Sequence, residues 1–442
     1  MSHIDKEIFP NGFQYIYQKS YSTIPMTSVI CFVKLGSIYE DDQSRGSSHF
    51  IAHMCFKGTK RIPTAKAIST VYDRIGAYFN AFTTKEFTAY VVNCEDQYLE
   101  NCLSVLSDML MNSTFDKRQF MLERNVVIEE AIRDEDDPES KIDDMSDRLT
   151  YAGSPFAKPI DDLSYHDKSS LEYSGTIKSY ETYYIPSNMC LSIVSNYSFK
   201  TIKSFVSKSF FSKVSTKCSI ENPEFPIMDY HEGIQYDLQR REGISANYLT
   251  MTFRTCHYND SDKYPLCVLS EILGGYMSSR MFQILREQHG LTYRSSCSTT
   301  YYKPMGEIQL FTMTDPKKLM KNGSSVGVFD LLIDLLNKIY KEGVTKEEVE
   351  IAKGHIKGSL LENMQKAKNI SFFNGTEYFI YGSHRLLPYD QVYDTFYKTI
   401  TKDDIMRVIR TYFIKDRLSI CILGEHIPSL LSVKKIIDQF IG

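Results

Sequence analysis

His49 and His53 stand four residues apart, a spacing that puts two imidazoles on one helical face within reach of a single metal ion. In the arrangement H-x-x-E-H, a glutamate directly before the second histidine is the base that activates a metal-bound water. Here that position is Ala52. The chemistry indicated is hydrolysis at a metal, with the proton acceptor missing. A histidine pair at this spacing is also compatible with simple packing, so a third ligand decides the matter. Phe120, Glu123, Val127 and Glu130 recur at i, i+3, i+7 and i+10, which is one stripe of a helix, otherwise apolar. Two carboxylates on a core-facing stripe are costly unless compensated. A zinc ion for Glu130 and a ligand histidine for Glu123 would compensate both. Ion pairs with Lys or Arg are the alternative.

These residues need elements to position them. Gly46-Ser47-Ser48 supplies a start and Lys57-Gly58 a stop for a helix over 46–57 carrying the histidines. The patterns predict strands at 13–18 and 26–35, a hairpin at 77–83 and 87–94, and helices at 97–111, 116–134 and 140–151. Strands followed by runs of helices indicate an α+β fold, an antiparallel or mixed β-sheet with helices packed on one face.

The chain looks duplicated. Thr182-Tyr183-Tyr184-Ile185 through Val194 matches Thr411-Tyr412-Phe413-Ile414 through Leu423 without gaps at an offset of 229, and Gly153-Ser154 matches Gly382-Ser383 at the same offset. Further amphipathic helices are expected at 199–211 and 428–441. The organisation expected is two homologous domains, 1–211 with the metal site and 233–442 without it. A linker at 212–232 contains Asn222-Pro223-Glu224-Phe225-Pro226. Applied to the metal site, the offset gives Ser278, Phe282 and Ser359 for His49, His53 and Glu130, so only the first copy can hold zinc.

Composition removes several function classes. A net charge of −4 over 442 residues argues against nucleic acid as partner. No apolar run approaches the ~20 residues that span a bilayer. Met1-Ser2-His3-Ile4-Asp5-Lys6 does not read as a signal peptide, which makes the cytoplasm the default. Ten scattered cysteines without a CxxC pair suit reduced core thiols. The run Asp134–Asp137 reads as a solvated helix end before Pro138.

His49-x-x-x-His53 followed by Glu130 within Glu123–Glu130, together with Gly46-Ser47-Ser48-His49-Phe50 and Phe56-Lys57-Gly58-Thr59, resembles the pitrilysin/insulinase family of zinc metallopeptidases. The chain is similar to its short, two-domain members, among them mitochondrial processing peptidase and bacterial homologues. The segment 76–88, Gly-Ala-Tyr-Phe-Asn-Ala-Phe-Thr-Thr-Lys-Glu-Phe-Thr, is similar to that family's substrate-binding edge strand. The resemblance implies peptide binding by strand addition at Asn80, Ala81, Phe82 and Thr83. Gly274–Phe282 and Arg286–Tyr293 resemble its C-terminal signature, which implies that Arg286 and Tyr293 hold the substrate carbonyl and stabilise an oxyanion. It also implies one Zn²⁺ per chain, a peptide substrate, and pairing as a homodimer or heterodimer in which Arg286 and Tyr293 act in trans.

Ala52 divides the functional expectation. Loss of a general base typically costs ~10²–10⁴-fold in rate, and Glu129, about 100° round the helix from Glu130, is not placed to replace it. The chain is either a zinc metalloendopeptidase inactivated at one position or a natural pseudo-peptidase serving as a binding or assembly subunit. Retention of the ligands, Glu123, Arg286 and Tyr293 favours the former.

Overall fold

The chain is seen in a computed structural model, whose described residues are 3–160, 172–215, 220, 223, 225, 226, 233–321, 323, 325–382 and 386–442. The first copy contains β1 (Ile4–Ile8), β2 (Gln14–Lys19), β3 (Met26–Val33), α1 (Ser47–Met54), α2 (Ala65–Asp73), β4 (Tyr78–Thr83), β5 (Thr88–Glu95), α3 (Leu99–Met111), α4 (Lys117–Asp136), α5 (Pro138–Thr150), α6 (Tyr173–Tyr183), β6 (Met189–Ser195), α7 (Phe199–Lys208) and the short α8 (Phe210–Lys213). The second contains β7 (Gln235–Arg240), β8 (Asn247–Thr255), α9 (Lys263–Ser270), β9 (Thr292–Tyr301), β10 (Gly306–Thr314), α10 (Val328–Glu342), α11 (Lys346–Met364), α12 (Ala367–Gly375), α13 (Lys402–Tyr412), β11 (Leu418–Gly424) and α14 (Leu430–Ile437).

One six-stranded sheet has the order β1-β2-β6-β3-β5-β4, and one five-stranded sheet the order β7-β11-β8-β10-β9. Each is mixed, because β2–β6 and β7–β11 are parallel and the other pairs antiparallel. Alternation along β3 explains the layering of the first sheet. Val29, Cys31 and Val33 enter the main core with α1, α3 and α4, while Ile30 and Phe32 face the opposite side.

That opposite side is where the structure adds to the sequence reading, which expected helices on one face. The chain forms two compact units, Met1–Arg133 with Lys158–Glu224 and Leu360–Gln391, and Asp134–Ala157 with Phe225–Ser359 and Val392–Gly442. In the first, α12 lies over β3 and β6, with Ser371 Oγ donating to Ser192 O at 2.7 Å and Phe32 and Phe372 ring centroids 6.0 Å apart. Gly375 permits this, since a Cβ there would collide with the Phe32 ring. In the second, α5 covers β8 and β11, with Ile142 and Met145 packed against Cys421 and Leu423. Asp137 caps α5 by accepting from Ser140 N at 3.0 Å, with Pro138 in the first turn. Since α5 begins at 138 and α12 at 367, 229 residues on, the copies have exchanged equivalent helices. The packing units therefore differ from the contiguous stretches 1–211 and 233–442. Most of the expected linker 212–232 lies outside the described residues; Ser212 and Lys213 close α8.

The offset of 229 relates the starts of α4 and α11, α5 and α12, α6 and α13, and β6 and β11. It does not hold earlier. The pairs β2/β7 and β3/β8 start 221 residues apart, and β5/β10 start 218 apart. Loops of different length between the early strands cause the drift. The counterpart of α1, directly after β8, is therefore α9 with its wider continuation to Gly275, and not the segment holding Ser278 and Phe282. No histidine occurs in Lys263–Gly275 either.

Candidate metal centre

α1 starts without a side-chain cap of its own. Gly46 adopts φ 74°, a left-handed turn that favours glycine. The first-turn amides are instead taken by Glu40, whose carboxylate accepts from Gly46 N and Ser48 N, both at 2.7 Å, and from the Ser48 hydroxyl. The helix thus starts at Gly46-Ser47-Ser48 as expected, with Gly46 as the N-cap, but the capping carboxylate comes from Glu40. Carboxylate at a helix start also matches the dipole. Phe50 then points into the core, its ring 4.6 Å from that of Phe120 in a T-shaped contact, which fixes α1 against α4.

That contact sets the histidines against the acidic stripe. The Nε2 atoms of His49 and His53 are 3.0 Å apart, and Glu130 Oε2 lies 3.5 Å from His53 Nε2 and 4.0 Å from His49 Nε2. Among the described residues, His49, His53 and Glu130 form the single cluster of three or more His, Cys, Asp or Glu ligand atoms that could hold a metal ion. Bonds of ~2.0–2.2 Å from such donors imply ~3.3–3.5 Å between ligand atoms at a tetrahedral centre, and the three separations bracket that value.

His53 is prepared for this by its other nitrogen. Nδ1 lies 2.9 Å from Glu123 Oε1, and Lys57 Nζ lies 2.5 Å from Glu123 Oε2. Burial opposes ionisation of Glu123, but hydrogen bonds from His53 and Lys57 and the Lys57 charge outweigh it and hold the carboxyl below its usual value. An ionised carboxylate only accepts, so the imidazole proton sits on Nδ1 and the Nε2 lone pair is left for a cation. Lys57, read from sequence as a helix-end cation, thus bonds the carboxylate that meets His53. Its spacing of four from His53 was the available signal, whereas nothing local marked Glu40.

Ala52 is buried, 3 % exposed, and belongs to the same core cluster as Phe50, Ile51 and Val127. Its methyl group has no proton-accepting atom. Glu129 is solvent-exposed while Glu130 is half-buried.

β4 forms one end of its sheet, with β5 as its described strand neighbour. The hairpin closes with Thr84 N donating to Phe87 O at 2.8 Å. In an antiparallel ladder this alternation turns the N–H and C=O of Phe79, Ala81 and Thr83 to the open edge. Ala81 N–H is met there by the Oδ1 of Asn80 at 2.8 Å, while Asn80 Nδ2 donates to Tyr78 Oη at 3.1 Å.

Arg286 and Tyr293 belong to the second unit. Arg286 lies in the helical segment Phe282–Gln288, and its guanidinium is 5.4 Å from the centre of the Tyr293 ring, which is 80 % exposed. The two are thus brought together. In that unit α11 meets α9's continuation and the helical stretch after it through different chemistry. Glu348 on α11 receives Arg280 Nε at 2.6 Å and Nη2 at 2.9 Å, and His355 Nδ1 pairs with Glu271 Oε2 at 2.8 Å. The nine described cysteines are free thiols, eight of them buried. No described helix is long and apolar enough to cross a membrane.

Comparison with known proteins follows the same division. Residues 15–162 match the profile for insulinase (peptidase family M16), and residues 177–355 that for the peptidase M16 inactive domain. The chain is 30 % identical over 381 residues to YmxG of Bacillus subtilis, described as an uncharacterized zinc protease, covering 85 % of this chain and 88 % of that one. It is 28 % identical over 394 residues to an uncharacterized zinc protease of Rickettsia felis, covering 88 % and 90 %. Its fold is similar to a protease from Helicobacter pylori (TM-score 0.86, 18 % identity, covering 96 % of this chain and 100 % of that one) and to the first half of the periplasmic protease PqqL from Escherichia coli (TM-score 0.79, 16 % identity, covering 99 % and 96 %).

Proposed function

Because the chain belongs to the insulinase family of peptidases, family M16, we propose that it is a one-zinc peptide-binding protein built as a metalloendopeptidase and held nearly inactive by Ala52. The observation that carries this reading is the convergence of His49, His53 and Glu130 around one point, with Glu123 fixing the tautomer of His53. A zinc ion held there supplies Lewis acidity and lowers the pKa of bound water towards ~7. The relatives' names as zinc proteases support zinc over other metals.

The remaining roles fall to the chain's own atoms. The open edge of β4 receives an extended peptide, main chain to main chain, through Asn80, Ala81, Phe82 and Thr83. The Ala81 N–H is the first donor such a peptide would claim, displacing the Asn80 carboxamide that masks it. That mask also shields an edge open to aggregation. Arg286 and Tyr293 present donors suited to a developing oxyanion, and in a homodimer or heterodimer they serve the partner's site. What is missing is the proton acceptor at 52 that would take a proton from water and pass it to the leaving amine.

Ala52→Glu tests the assignment. Zinc-loaded Ala52→Glu protein should cleave unstructured peptides ~10²–10⁴-fold faster than the chain as it stands, with zinc content near one equivalent in both. Full zinc occupancy without cleavage in the substituted protein would reject the peptidase reading in favour of a binding or assembly subunit.

A further inference from the structure

We infer that the face of β4 turned towards α12 selects peptides bearing two bulky apolar side chains four residues apart. This rests on the reading that β4 takes a peptide strand, and adds what that peptide must look like.

Side chains alternate across β4. Phe79 points to the α1 and α2 side, stacked on Tyr72 at 4.5 Å and 5.9 Å from Phe56. Phe82 points the other way, 5.8 Å from Phe372 of the exchanged helix α12 and 6.3 Å from Phe87. Tyr78 shares that face, with Lys368 Nζ of α12 5.1 Å from its ring centre. Asn80 lies between them, bonded to the Tyr78 hydroxyl. The order along the strand is therefore aromatic, amide, aromatic. Tyr78 and Phe372 leave 46 % and 36 % of their surface in water.

A strand added to β4 lies ~4.8 Å away, and its side chains stand ~4.5–5.5 Å from the β4 residues directly opposite. Residues i and i+4 of the peptide then cover Phe82 and Tyr78, and i+2 meets the Asn80 amide. A pair spaced i, i+3 cannot do this, because the strand period of two sends one member to the α1 side. Phe372 acts through Phe82, as a positioning residue. The second copy, through α12, thus shapes the specificity of an edge strand in the first.

The test uses the zinc-loaded full chain and two dye-labelled dodecapeptides of one composition, with Ser and Thr as background and two leucines at i, i+4 or at i, i+3. Fluorescence anisotropy should give roughly tenfold tighter binding for the i, i+4 peptide, as burial of one more leucine implies. Phe82→Ser and Tyr78→Ser should each bring the two affinities together. Phe372→Leu, chosen to preserve packing and checked by its melting curve, should narrow the gap while leaving binding of the i, i+3 peptide unchanged. Equal, saturable binding of both peptides to the unsubstituted chain overturns the selectivity and leaves peptide capture standing. Saturable binding of neither overturns both.

Discussion

The two units carry equivalent long helices, α4 and α11, yet hold a neighbouring segment to each by different means. In the first unit the facing atoms are two imidazole nitrogens and a carboxylate oxygen within 4.8 Å of one another. In the second, Arg280, at the start of the helical stretch that follows α9 and its continuation, brings its own cation to Glu348 on α11 through a bidentate fork and donates again to Gly343 O at 2.9 Å. One unit offers a cluster that could take a cation from solution, while the other supplies its own in Arg280. A guanidinium–carboxylate pair holds its segments together without offering the open coordination position that metal chemistry needs.

Substitutions can break or sharpen this contrast. The largest effect should come from His53→Ala, which ought to lower zinc content from about one equivalent to under about a tenth, read by elemental analysis after gel filtration. Arg280→Ala should leave zinc content unchanged, and a full equivalent retained by His53→Ala would dissolve the contrast. Next in size, Arg280→Ala should destabilise the second unit by about 2–3 kcal/mol, less than a fully buried pair because both side chains keep some exposure. Chemical denaturation with and without a chelator measures this, and the loss should be chelator-independent.

The same variant carries a pH signature. Burial opposes ionisation of Glu348, but hydrogen bonds from Arg280 and Thr345 win and depress its pKa below 4.5. A depressed folded pKa means that the stability is fully present above the unfolded value near 4.5 and is lost as pH falls through the folded one. The penalty of Arg280→Ala should thus be flat from pH 7 to 5 and shrink below about 4.5. A smaller effect is expected for Glu123→Gln, with zinc affinity reduced ~10–100-fold but not abolished, measured by competition with a chelating dye. Smallest, Glu40→Ala should cost about 1 kcal/mol through the lost cap on α1, with zinc content retained.

The metal cluster was legible because helical periodicity fixes which residues share a face. That rule and the cost of burying carboxylates singled out His49, His53, Glu123 and Glu130 but left ion pairs open, and Glu123 meets Lys57 as well as His53. Glu40 was not legible, because it caps α1 from the preceding turn and no repeat links it to Ser48. The homologous pairing of later elements was readable from the gapless match at 182–194 and 411–423, while loop-length differences among the early strands hid the true counterpart of α1. The exchange of α5 and α12 was invisible for a different reason. An amphipathic helix announces that it has an apolar face, and not which sheet will cover it.

That exchange fixes when the first unit can be completed on the ribosome. β6 ends at Ser195 and α12 starts at Ala367, 172 residues later. At elongation rates of ~5–20 residues per second, the sheet waits roughly 10–35 s with Ile30, Phe32 and Val91 uncovered. The nascent chain therefore exposes an apolar surface for about two-fifths of its synthesis, and its need for a holding chaperone should be greatest before residue 367 has emerged.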